Sequence, residues 1–203
     1  MNNNLPGPLN VLIEQFIKLP GFGQKAALRA TMQLLKWPEE ETRRFGHNIT
    51  SLRDNLHLCS RCGSISTDDP CKICTDPNRA KDILCIVSEW DSLLTLEQGN
   101  FYQGQYLILG GLLAPMEKKP DHAMEIEKLK TRLAEGQIKE VIFALGSTVE
   151  AENTASFLQQ MIKTKFPYIQ TSRLAQGIPL GAEVKYMDKA TLYQSLKYRQ
   201  ILS

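Results

Sequence analysis

The chain has 203 residues and sets 24 Lys+Arg against 22 Asp+Glu, a formal charge of +2. At roughly 100–200 residues per domain this predicts one or two folded units, and 42% apolar with 23% charged residues excludes a disordered chain. No run approaches the roughly 18–20 apolar residues of a membrane-spanning helix, and so small a net charge leaves any nucleic-acid binding to local patches.

The opening MNNNLPGPLN holds no basic residue and no apolar core segment, so a cytoplasmic protein is expected. Residues 8–57 read as helical. Leu9, Leu12, Ile13, Phe16 and Ile17 recur at the spacing of one buried helix face, and Ala26, Ala27, Ala30, Leu34 and Leu35 form a second such stripe. Pro38 opens a third helix, with Glu39, Glu40 and Glu41 in the first turn where the helix dipole favours them. Phe45, Ile49, Leu52 and Leu56 are expected to be its inward face.

Leu19-Pro20-Gly21-Phe22-Gly23-Gln24-Lys25 joins the first two helices. Two glycines two apart permit a tight loop, and the backbone N–H groups of the helix that follows form a ready anion site. Lys25 and Arg29, four apart, share one face of that helix. The pattern resembles the helix-hairpin-helix motif, which grips phosphates without reading sequence. From the loop alone, a connector with two solvated cations reads equally well. Arg43, Arg44 and Arg53 add positive charge, but Glu39–Glu41 lie close to it.

Cys59, Cys62, Cys71 and Cys74 follow as C-x2-C-x8-C-x2-C. Two such pairs present four sulfurs to one tetrahedral ion, the closed structural zinc arrangement, and four thiolates leave no position open for catalysis. Gly63 supplies a permissive backbone at the first knuckle, and Asp68-Asp69-Pro70 supplies a turn before the second pair. Disulfides suit a chain without an export signal poorly. His57 could serve as an alternative ligand, although four cysteines already fill the shell. Cys85, inside Ile83–Val87, reads as a buried strand residue.

Beyond residue 80, apolar runs at Ile83–Val87, Tyr106–Leu109 and Val141–Leu145, with a weaker one at Tyr168–Thr171, alternate with helices near 90–98, 122–135 and 149–164. Strand–helix alternation predicts a mostly parallel sheet covered by helices. Gly99 and Gly136 stand where C-terminal caps are expected, and Ser147 with Glu150 reads as a capping box. The tail is expected to hold a short strand at 183–187 and a last helix from Asp188. Glu89 follows the first strand and falls at the sheet edge where ligands of open α/β folds bind. Glu150 and Glu152 come after the third strand on the same edge. Three converging carboxylates could hold Mg²⁺. Dipole-favoured acids read equally well for Glu89 and better for Glu150.

The order of parts is similar to that of the RecR family of bacterial recombination mediators. The resemblance rests on L-P-G-F-G-Q-K, on C-S-R-C-G…D-P-C-K-I-C, on the strand–helix alternation, and on the tail R-L-A-Q-G-I-P-L-G. It implies an α/β chain with a helix-hairpin-helix region for DNA binding and oligomerisation (1–58), a C4 zinc finger (59–74), a Toprim-like domain (80–176) and a C-terminal tail for inter-subunit packing (177–203). It further implies a non-enzymatic clamp, a homodimer or ring-like homotetramer, which acts with RecO and in many bacteria RecF to load RecA on single-stranded DNA. Such a protein is cytoplasmic and nucleoid-associated when bound to DNA.

Residue by residue, the resemblance carries DNA contact to Lys25 and Arg29, and zinc ligation to Cys59, Cys62, Cys71 and Cys74. It carries a surface linked to RecO to Glu89, and inter-subunit packing to Arg173, Gly177, Pro179 and Gly181. Where the family commonly reads T-N-P-T-V-E-G-E, this chain has Leu145-Gly146-Ser147-Thr148-Val149-Glu150-Ala151-Glu152. Catalytic Toprim enzymes also carry an Asp-x-Asp on a later strand. Val141–Ser147 has none, and two-metal phosphoryl chemistry needs such an acid cluster. A Mg²⁺-dependent Toprim enzyme and a zinc-containing RNA-binding protein remain the alternatives. The second lacks an aromatic stacking platform.

Overall fold

A computed structural model describes residues 5–114, 124–199 and 201. The chain divides into two units, 1–55 and 56–203.

The first unit is helical: α1 (Gly7–Ile17), α2 (Gln24–Leu34) and α3 (Glu39–Thr50). Pro6 and Pro38 stand immediately before α1 and α3, where a fixed φ suits helix entry. The apolar stripes of α1 and α2 meet, burying Ile13 and Ala27, and Phe16 stacks on Phe22 at 5.7 Å. The inward face expected for α3 is overturned. α3 has no buried residue, and Phe45, Ile49, Leu52 and Leu56 are 38%, 58%, 61% and 40% exposed. The helix stops at Thr50, so Leu52 and Leu56 lie beyond it, and Phe45 stands edge-on to Trp37.

The second unit begins with a hairpin, β1 (His57–Leu58) against β2 (Ile65–Ser66), and a short helix α4 (Lys72–Thr75). The parallel sheet then forms from β3 (Ile83–Val87), β4 (Gln105–Ile108), β5 (Glu140–Ala144) and β6 (Gln170–Arg173), in the order β4-β3-β5-β6. Helices α5 (Trp90–Gly99), α6 (Ile126–Ala134) and α7 (Val149–Lys165) connect successive strands. A central parallel strand is covered on both faces, so its sequence is apolar throughout rather than alternating. In β3, Leu84 and Ile86 face the α6–α7 side with Leu129, Leu133, Leu158 and Ile162. Cys85 and Val87 face the opposite side with Leu93, Tyr106 and Ile108. Cys85 is thus the buried strand residue its sequence context predicts, and burial pushes its thiol up to about 12. The weaker run expected at Tyr168–Thr171 becomes a strand two residues later, because Gln170 is the residue in register with Glu140.

Local punctuation moves by a residue in two places. Asn100, not Gly99, takes the left-handed turn after α5 (φ 49°), a conformation Asn tolerates. Thr148, not Ser147, caps α7, its hydroxyl accepting from the Ala151 N–H at 3.2 Å. Gly146, between β5 and α7, takes φ 87°. Gly136 (φ 75°) follows α6 as expected. The strand expected at 183–187 is a single 3-10 turn, Val184–Tyr186. No described sheet strand pairs with it. Asp188 then caps α8 (Lys189–Lys197), its carboxylate accepting from the Thr191 N–H at 2.9 Å. No helix among the described residues is long and apolar enough to cross a membrane.

Candidate metal centre and nucleic-acid interface

The first cysteine pair sits on the turn between β1 and β2. The Gly63 N–H donates to the Cys59 carbonyl at 2.9 Å, the Cys59 N–H donates to the Ser64 carbonyl at 2.7 Å, and Gly63 takes φ 76°. The second pair spans α4, with Cys71 immediately before its first residue. Asp69 joins the two halves by accepting from the Ser60 N–H at 2.7 Å, a bond that also holds its carboxyl below the usual range.

These turns bring all four sulfurs within 4.8 Å of one another. The Cys59 and Cys74 sulfurs lie 3.9 Å apart, and those of Cys62 and Cys71 3.5 Å apart. A tetrahedral Zn²⁺ with bonds of about 2.3 Å requires sulfurs about 3.8 Å apart, so the donor set fits the ion. Backbone N–H groups aim at two of the sulfurs, Ser64 at Cys62 (3.4 Å) and Cys71 at Cys59 (3.3 Å). Burial pushes the Cys59 thiol up, but N–H groups of Cys71, Cys62 and Arg61 more than offset this and bring it down to about 7. Cys62, held against Cys74 and buried, is raised, and burial lifts Cys71 to about 11. His57, in β1, lies outside this group.

The zinc module is fastened to the edge of the sheet. β4 is an edge strand, and the Ile108 N–H donates to the Cys62 carbonyl at 2.8 Å. A methyl group at Gly63 would stand 3.4 Å from the Ile108 carbonyl, so the knuckle lies directly on the strand. Arg132 holds the module to the sheet and Arg79 holds the segment that follows it, and neither is among the residues expected from sequence. Arg132, on α6, donates to the carbonyls of Tyr106 (2.6 Å) and Arg61 (3.4 Å). Arg79 donates to the Gly104 carbonyl at 3.0 Å, pairs with Glu97, and stands over the Tyr106 ring. One signal was present: Arg132 is three residues past Leu129, on the apolar stripe of its helix.

The loop before α2 has the tight form predicted. Gly21 adopts φ 81°, the Phe22 N–H closes a turn on the Leu19 carbonyl at 3.1 Å, and Gly23 precedes α2 in extended conformation without a side-chain cap. Lys25 and Arg29 are both exposed. Lys25 borders a groove of about 570 Å³ between α1 and α2, and Glu14 lies on the same groove. Arg43 is taken up by Glu39 at 2.5 Å, which reduces its availability to a phosphate.

At the carboxyl edge of the sheet, the connections from β3 and β5 run in opposite directions, the place where open α/β folds form a crevice. Glu89 is there, exposed, just before α5. Glu89, Glu150 and Glu152 do not form a clustered metal-competent group among the described residues. Glu152 is engaged by Arg173 (2.9 Å) and Gln176 (3.2 Å), and among the described residues the only metal-competent group of three or more is the cysteine cluster. Pro179 and Gly181 lie in an exposed turn, closed by the Ala182 N–H on the Pro179 carbonyl at 3.1 Å, and Gly177 is exposed just before it.

A helical glycine hairpin, a four-cysteine module and a Toprim-type parallel sheet in one chain define a class of protein of DNA recombination. Family models match along nearly the whole length: the RecR helix-hairpin-helix over 9–52, the RecR four-cysteine zinc finger domain over 56–76, the Toprim domain over 82–175 and the RecR C-terminal region over 177–200. The chain belongs to the RecR family. It is 60% identical to the recombination protein RecR of Nitratidesulfovibrio vulgaris (strain Miyazaki F), over 98% of each chain. It is 52% identical to that of Maridesulfovibrio salexigens, over 98% of this chain and 99% of the relative. With that of Enterococcus faecalis it shares 39%, over 97% and 98%.

Proposed function

We propose that this chain is a non-enzymatic DNA clamp and adaptor of recombinational repair, working with RecO and with RecF to load RecA on single-stranded DNA. The observation that carries this reading is the hairpin: a tight glycine turn that delivers Lys25 and Arg29, exposed and four residues apart, at the start of α2. Backbone N–H groups and two cations there suit phosphate, which carries no sequence information. Zinc, one ion per chain held by Cys59, Cys62, Cys71 and Cys74, fixes the module against β4.

The division of labour follows the chain. Residues 1–58 bind DNA and oligomerise, 59–74 form the zinc finger, 80–176 form the Toprim-like surface on which Glu89 meets RecO, and 177–203 pack between subunits. A ring multiplies the few cations of each chain. Residues 1–80 carry ten basic against eight acidic residues, whereas 81–203 carry fourteen of each. The absence of Asp-x-Asp in 141–147 and the pairing of Glu152 with Arg173 both speak against phosphoryl chemistry.

A salt titration of DNA binding tests the hairpin. Lys25→Ala is expected to weaken binding to all sequences about equally and to lower the slope of log K against log salt by about 1. An unchanged slope removes Lys25 from the interface. A native mass measurement with and without DNA tests the ring, and Glu89→Lys in a RecO binding assay tests the partner surface.

A further inference from the structure

A guanidinium withdrawn from water needs a reason. Arg132 is 4% exposed, and among the described residues no carboxylate forms an ion pair with it. Its hydrogen bonds go to the Tyr106 and Arg61 carbonyls and, at 3.4 Å, to the Gln105 side-chain oxygen. Burying a charge without an opposing charge costs several kcal/mol. The opposing charge must therefore come from something that is not a paired carboxylate.

The charged neighbours supply it. Burial pulls the Arg132 pKa down, Arg61 adds to the fall, and the charges of Cys74, Cys62 and Glu135 oppose it. Glu135 is already held by Arg61 at 2.8 Å and is partly exposed. Four thiolates on one Zn²⁺ carry a net charge of −2, next to the knuckle whose carbonyl Arg132 holds. Cys74 is also the one cysteine of the four that is not fully buried, and it borders a cavity of about 130 Å³ lined by Arg61, Lys81, Gln105, Arg132 and Glu135.

We propose that Arg132 is the positioning cation of the metal centre, balancing its negative charge and holding the first knuckle by its Arg61 carbonyl, on the cavity onto which Cys74, the ligand through which the centre opens to solvent, also faces. The inference rests on the zinc reading above. Arg132 acts through its charge and through the knuckle carbonyl it holds, and is not itself a ligand. Outer-shell partners of this kind control how tightly a centre holds its ion. The sheet thereby determines the lifetime of zinc in the module, through α6.

The test is the rate at which the full-length, zinc-loaded protein yields its metal to a strong chromogenic chelator. Arg132→Met is expected to release zinc roughly 10–100-fold faster, Arg132→Lys to stay close to the parent because the charge is kept, and Arg61→Met, whose cation is half-buried and already paired with Glu135, to change little. Equal rates for Arg132→Met and the parent, with circular dichroism unchanged, overturn the proposal. So does Arg132→Lys releasing as fast as Arg132→Met, which would reduce the role to hydrogen bonding. Should Arg132→Met fail to fold, the unsubstituted protein still decides. Under chelator and an alkylating agent, mass spectrometry is expected to find Cys74 modified before Cys59, Cys62 and Cys71, and even modification overturns the proposal. Purified protein without zinc overturns both this inference and the zinc reading, whereas zinc present with an unaltered Arg132→Met rate overturns this inference alone.

Discussion

The helical unit and the α/β unit begin from similar apolar periodicity and end differently. In residues 5–55 only Ile13, Ala27 and Thr31 are buried among the described residues, while Val11, Ile17, Leu19, Leu35, Ile49 and Leu52 stay exposed. In the second unit β3 is enclosed on both faces, and α6 and α7 bury Leu129, Leu133, Leu158 and Ile162 completely. The difference lies in what is available to cover an apolar stripe. A four-stranded sheet offers two broad faces, each taking helices. Three short helices offer only one another, and α1 with α2 uses up that choice. Fifty-five residues also bury a smaller share of their surface than a longer chain does. A stripe in the first unit therefore marks a face that the unit itself leaves open, and a stripe in the second marks a core.

The contrast breaks most severely at the metal. Cys59→Ala is expected to lose zinc and the folded knuckle together, because binding energy at such a centre is folding energy. Zinc content and hydrogen exchange at the Ile108 amide, which donates to Cys62, check this. A metal-free variant with full protection at Ile108 would show that the sheet edge needs no module.

Core truncation comes next. Leu158→Ala is expected to cost about 2–5 kcal/mol in denaturant unfolding, the usual range for a fully buried leucine. Ile49→Ala, on the open face of α3, is expected to change stability by no more than about 0.5 kcal/mol. A cost for Ile49→Ala approaching that of Leu158→Ala, and rising with protein concentration, would sharpen the contrast. It would mean that a second copy of the chain covers the face that α1 and α2 leave bare.

Much of the candidate site was legible because it is local. The C-x2-C-x8-C-x2-C spacing puts two pairs of sulfurs on two turns, and the structure collects them as expected. The glycine hairpin before α2 was legible for the same reason, since left-handed φ at Gly21 is a property of one residue. The acids at the sheet edge were not. Spacing put Glu150 and Glu152 near Glu89, but Arg173, 21 residues beyond Glu152, takes the Glu152 carboxylate, and nothing near either residue announces that pairing.

The sequence alone therefore determined the elements: four zinc-type cysteines, three N-terminal helices, apolar strands alternating with helices, and the order of parts that places the chain in its family. These follow from backbone geometry acting over a few residues, through the 3.6-residue period of helices and the apolar runs of covered strands. Only the tertiary structure decided the strand order β4-β3-β5-β6, the seating of the zinc knuckle on Ile108, the burial of Arg132 and the exposure of α3. Each depends on which distant surface arrives to cover or pair with a group. A helix pattern records which face is apolar or charged, while its neighbours decide whether water remains there.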